Sequence, residues 1–159
     1  MERVYKADPE KNNSIRLKGL YIVRLYGPDG HLKQEEISEN VITSGGLEWL
    51  AAFLNSAAAA ASTFSARYVA IGTDSTAAAS SNTVMGTESA RHTGTVSYVS
   101  NQIYKVSATF VTGYGTGAIV EYGLFNSNSA GVLVSRVTKS VINKAAGDVL
   151  TAVYQVTLS

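Results

Sequence analysis

Two stretches of alternation limit what this chain can fold into. From 104 to 110, Tyr104, Val106, Ala108 and Phe110 share one parity, and Lys105, Ser107 and Thr109 share the other. From 150 to 158, Leu150, Ala152, Tyr154, Val156 and Leu158 alternate against Thr151, Val153, Gln155 and Thr157. Successive side chains of a strand point to opposite faces, so a period of two describes a sheet with one face on a core and one in water. At least six such segments separated by turn residues predict a mainly β protein, an antiparallel sandwich or barrel-like domain.

The rest of the chain fits that frame. Residues 15–26 and 31–43 read as a hairpin around GPDG at 27–30, with Pro28 at the first corner of the turn and Gly30 closing it. One short α-helix is predicted at about 44–55 in TSGGLEWLAAFLN, capped by Thr43 or Ser44. Its apolar stripe is Leu47, Leu50, Ala51 and Leu54, with Trp49 and Phe53 on an adjoining face; Ala57–Ala61 could prolong it. SARYVAIGT reads as a buried strand and DSTAAASSNTVMGTESA as a long low-complexity excursion. A hairpin over 90–113 turns near Ser100–Asn101, residues 117–125 and 131–138 pair next, and DVLTAVYQVTLS closes the domain. Residues 1–14 form an extended N-terminal arm with only Val4 and Tyr5 as apolar anchors, and 15–159 a single β-rich domain.

Composition narrows the function. There is no cysteine, so disulfides, thiolate metal sites and a cysteine nucleophile are excluded. Thirteen Lys and Arg against twelve Asp and Glu leave a formal charge of +1, without the basic excess of a nucleic-acid binder. No stretch of about eighteen apolar residues could cross a membrane as a helix, and MERVYKADPEKNNS lacks the apolar centre of a signal peptide. Charged residues are 16% of the chain, against about 25% in an average soluble protein. So small-residued and charge-poor a surface suits packing against copies or partners.

The residue types that carry chemistry form no catalytic pattern. His31 follows the GPDG turn and His92 opens a strand beside Arg91; neither has a carboxylate at metal-ligand spacing, and both read as solvated or capping residues. Glu35 and Glu36 are adjacent on a strand and so face opposite ways, which fits a solvated edge better than a glycosidase pair. Gly45–Gly46 precedes a helix without the rest of a phosphate loop, and GYGTG at 113–117 has turn spacing. Glu121, Tyr122 and Arg136 sit on neighbouring strands, where Glu121 and Arg136 could form a cross-strand structural pair. The expectation is a non-enzyme with no catalytic residue, cofactor or metal.

The segments VITSGGLEWLAAFL, RYVAIGTDST, MGTESAR, IVEYGLFNS with GVLVSRV, and KSVINKAAGDVLTAVYQVTLS, in that order, resemble a family of small tailed-phage virion proteins. That family shows an N-terminal strand and helix followed by "aiGtg", "E.aR", "itE.GLF" and a closing "L.v.y.i.f" strand. The resemblance covers residues 40–159. It implies a structural virion protein made in the host cytoplasm, most simply a decoration (cement) protein on the surface of the expanded capsid. Its partners would be the major capsid protein and copies of itself, as a trimer, with no nucleic acid and no membrane. The arm would supply capsid contacts through Arg3, Val4, Tyr5 and Lys6. The alternative is a tail-tip, fibre or adaptor component, for which Tyr114 in the GYGTG turn would be the receptor-facing aromatic.

Overall fold

In a computed structural model of the chain, residues 16–55, 66–100 and 102–158 are described. The arm with Arg3, Val4, Tyr5 and Lys6 lies outside them, as does Ala57–Ala61. β1 (Leu17–Tyr26) and β2 (Leu32–Glu39) form the first hairpin. At its turn the Gly30 N–H donates to Gly27 O at 2.9 Å, with Pro28 and Asp29 at the corners, and Gly30 takes a φ of +78° that favours glycine. After β3 (Val41–Ile42) and α1 (Ser44–Asn55) come β4 (Tyr68–Gly72), β5 (Glu88–Thr93), β6 (Thr95–Ser100) and β7 (Ile103–Phe110). β8 (Gly117–Phe125), β9 (Leu133–Lys144) and β10 (Val149–Leu158) follow.

The strands make two five-stranded antiparallel sheets, ordered β2-β1-β10-β7-β6 and β3-β9-β8-β4-β5, in a mainly β, sandwich-like architecture. The two alternating stretches lie side by side, Leu150 opposite Phe110 and Tyr154 opposite Val106. Val106, Ala108, Phe110, Leu150, Ala152 and Tyr154 are all buried and meet Val69, Ile71, Ile119, Tyr122 and Leu124 from the second sheet. Val153, on the opposite parity, is buried too, between Ile22 and Ser107 on the central strands.

The hairpin expected over 90–113 is divided. Its first arm breaks at Gly94, so β5 pairs with β4 in the second sheet while β6 pairs with β7 in the first. The chain changes sheets at this corner, and the buried Gly94 runs so close to the core that a Cβ would lie 2.4 Å from Val106 Cγ1. Its N–H donates to Arg67 O at 2.7 Å.

The helix starts where expected but faces another way. Thr43 is the cap, its Oγ1 accepting the Gly46 N–H at 2.9 Å. Gly46, Trp49 and Leu50 form the inward stripe and the 41% exposed Phe53 borders it, while Leu47 is 49% exposed and Ala51 is exposed. Gly46 decides the rotation. A Cβ there would stand 2.3 Å from Val134 O, so the helix backbone presses directly on β9 along its glycine face. Between α1 and the Leu17–Leu158 end of the first sheet lies an apolar cavity of about 360 Å³, bordered by Trp49, Phe53, Tyr104 and Tyr154.

Candidate functional site

Charged side chains gather on the outer face of the second sheet, under the loop that joins β4 to β5. Glu121 on β8 is fully buried and Arg136 on β9 is 2% exposed. Their register is diagonal, since Glu121 stands opposite Thr138 and Arg136 opposite Gly123, yet Arg136 Nε donates to Glu121 Oε1 at 2.7 Å. Arg136 also donates from Nη1 to Asn82 Oδ1 at 3.0 Å and from Nη2 to Asp74 Oδ2 at 3.1 Å. Glu121 accepts the Gly86 N–H at 2.6 Å and the Thr87 N–H at 3.2 Å. Each charge is therefore shared between its partner and the loop. An exposed cross-strand pair contributes about 0.2–1 kcal/mol. A buried one is a different object: removing one member strands the other, at roughly 3–5 kcal/mol.

Two glycines make room for this network. A Cβ on Gly72 would lie 2.5 Å from Glu121 Oε2, and one on Gly86 would lie 1.8 Å from Asp74 Oδ2. Asp74 accepts hydrogen bonds from the Thr76 N–H and hydroxyl, at 3.1 and 2.8 Å, which hold its carboxyl below the usual aspartate range. Met85 tucks beneath the loop with Ala70, Phe125 and Leu133 in a small second core, and the Ser44 N–H donates to Ser80 O at 2.8 Å. The stretch 73–87 has no regular secondary structure, yet both faces of its path are tied down.

Arg91 extends the same arrangement. It pairs with Glu88 through Nε at 2.8 Å and Nη2 at 2.6 Å, and its guanidinium sits 3.5 Å above the Phe125 ring. Its Nη1 donates to Ser127 O at 3.0 Å and Ala130 O at 2.8 Å, fastening the β8–β9 loop. Residues of three of the quoted segments thus lie side by side on this face: Gly72 of AIGT, Gly86, Glu88 and Arg91 of MGTESAR, and Glu121, Gly123 and Phe125 of VEYGLF. Asn82 joined no sequence pattern, and although Asp74 lies in RYVAIGTDST, a low-complexity loop gives no periodicity by which to align either with Arg136.

The other candidates lie apart. Tyr122 does not join Glu121 and Arg136; it points into the sandwich, 6.2 Å from the Tyr21 ring, and burial raises its pKa above that of a free tyrosine. His31 is exposed at the first turn, and His92 Nδ1 lies 2.8 Å from Thr93 O with its ring edge toward Phe110 and Tyr114. Glu35 pairs with Arg24 opposite it, while Glu36 stands opposite the buried Val23, so the two do face opposite ways. Gly45–Gly46 presses on β9 rather than opening an anion site, since Cβ atoms there would meet Val132 and Val134. In GYGTG, Gly113 and Gly115 have φ of +74° and +65°, and Tyr114 stacks on Phe110 while its hydroxyl donates to Arg91 O at 2.6 Å.

One further cluster had no sequence signal. Lys144, buried at the end of β9, donates to Val111 O at 3.0 Å and Asp148 O at 2.8 Å, and Asp148 accepts from Lys33 at 2.9 Å and the Ala145 N–H at 3.0 Å. Residues 115 apart in sequence meet there.

Chemically, the outer-face network can hold a loop. The Glu121 oxygens and the Arg136 guanidinium are engaged inside the protein, and among the described residues no three His, Asp or Glu converge as a metal cage requires. No protein-family model, curated protein or solved structure matches this chain.

Proposed function

We propose that this chain is a structural protein of a phage virion that binds the outer surface of the expanded head as a decoration protein. The observation that carries the reading is the clamped 73–87 loop. Its outward residues are small or hydroxylated, including Ser75, Thr76, Ala77, Ala79, Ser80, Ser81 and Thr83, with Val84 66% exposed. Asp74 is the loop's one charged residue, and it is turned toward Arg136. A surface of this kind has few charges to desolvate, and its backbone is already ordered, so binding incurs less of the entropy that a free loop would lose. That is the requirement on a cement protein, which adds contacts to a finished shell. The resemblance of residues 40–159 to virion proteins points the same way, since its motif residues are those that build the clamp.

A place at the tail is the second reading, favoured by the 40% exposed Tyr114 beside His92. Immunogold electron microscopy of virions from the source of this sequence separates the two. Label distributed over the heads is the expected result. Label confined to tail tips would transfer the proposal to host attachment, and virions without label would remove it.

A further inference from the structure

The two sheets have four edges among the described residues, and three are protected against pairing with another strand. β2 carries Lys33, Glu35, Glu36 and Glu39, with Glu35 and Glu39 held in ion pairs by Arg24 and Lys18. β5 carries Glu88, Arg91 and His92. β3 is two residues long. Charges and short length are the usual devices by which a sheet prevents its open row of N–H and C=O groups from templating another chain.

β6 has neither, and its one irregularity is a register shift against β7 between Tyr98 and Ser100. Its six residues, TVSYVS, contain no charge, no proline and no glycine, and four of them are β-branched or aromatic. It pairs with β7 on one side, Thr95 opposite Ser107 and Ser97 opposite Lys105, and is the last strand of its sheet on the other. Thr95, Val96 and Ser97 are exposed, and Val96 keeps 41% of its surface in solvent although its partner Val106 is fully buried. Beyond the Gly94 corner β6 is hydrogen-bonded to β7 and stands at the end of the first sheet.

We infer that β6 is a self-association edge, paired antiparallel with β6 of a second copy across a two-fold axis normal to the sheet. Symmetry makes the contact self-complementary, because the same N–H and C=O groups meet on both sides. In the register centred on Ser97 the five residues 95–99 pair, with about four to six new backbone hydrogen bonds. The register centred on Ser97 sets outward residues against outward residues and brings Ser97 opposite Ser97 of the partner subunit. Against β2 or β5 of another copy, the same edge would meet charged side chains, and against β3 it would find too few residues. The product is a continuous sheet ordered β2-β1-β10-β7-β6-β6-β7-β10-β1-β2, and its stoichiometry is two rather than the three expected from the sequence.

Ser97→Glu tests this. Within one chain the new carboxylate faces Lys105, an opposite-charge cross-strand pair that preserves the fold. Across the two-fold it faces its own copy. Sedimentation velocity of the full chain should give twice the 16.8 kDa chain mass for wild type, and Ser97→Glu should raise the dissociation constant at least about tenfold. The β6 amides should also exchange more slowly as wild-type concentration rises, and circular dichroism should show the variant folded. A wild-type monomer at every concentration would overturn the inference, as would a dimer or trimer unchanged in mass by Ser97→Glu with β6 exchange independent of concentration.

Discussion

Gly72 on β4 stands directly opposite Glu121 on β8, and the Glu121 carboxylate fills the space a Gly72 side chain would need. A Cβ there would be 2.5 Å from Oε2 and 2.4 Å from Thr87 O. The absence of one side chain is thus the condition for burying another. Gly72→Ala should destabilise the protein by about 1–3 kcal/mol, as overpacking generally does. Urea denaturation monitored by circular dichroism checks it; an unshifted midpoint would mean the carboxylate can step aside without loss.

The Glu121–Arg136 pair should show strong coupling. Glu121→Leu alone and Arg136→Met alone should each destabilise by roughly 3–5 kcal/mol, because each strands a buried charge. The double variant should lose much less than the sum. In either single variant limited proteolysis should cut first within 73–87, since the loop hangs on this pair. Additive losses, or first cuts elsewhere, would refute the clamp.

Gly46→Ala separates helix propensity from packing. In a free helix the change stabilises by up to about 1 kcal/mol. Here the new methyl would press on Val134 O, so the protein should lose stability, while the exposed Leu47→Ala should change it by less than about 0.5 kcal/mol. Thermal melts of the two variants measure both.

The core tyrosines set an alkaline limit. Burial pushes Tyr154 up to about 12 and raises Tyr21 and Tyr122 in the same direction. A raised pKa in the folded state means that the stabilisation is complete below the unfolded value of about 10. It is lost as pH climbs from there toward the folded value. Tyrosinate absorbance from these rings should therefore appear together with loss of the β-sheet circular dichroism signal. Ionisation of all tyrosines with the sheet signal intact would contradict their burial.

Acid acts through two aspartates. The Lys33 ammonium and the Ala145 amide hold the Asp148 carboxyl below the usual range, and Thr76 does the same for Asp74. Depressed folded-state values give stability that is fully present above the unfolded pKa of about 3.9 and lost as pH falls from there through the lower folded value. The urea midpoint should drop below about pH 4, and Asp148→Asn should be less stable at neutral pH with a shallower acid decline.

The sequence alone determined the strand character of this protein, because a period of two survives in any environment: Val106, Ala108 and Phe110 face the core wherever their strand lies. It also determined the GPDG turn and a helix start at Thr43 or Ser44, both set by neighbours in the chain. Only the tertiary structure decided what depends on distance across the fold. The inward face of α1 turned on Gly46, which no apolar pattern counts, and the sheet change at Gly94 depended on the proximity of Val106. Glu121 and Arg136 could be placed on adjacent strands from sequence, but their burial could not. Burial came from a loop whose Asp74, Asn82 and Gly86 follow no period, and whose position is set by where Gly72 leaves room for a carboxylate.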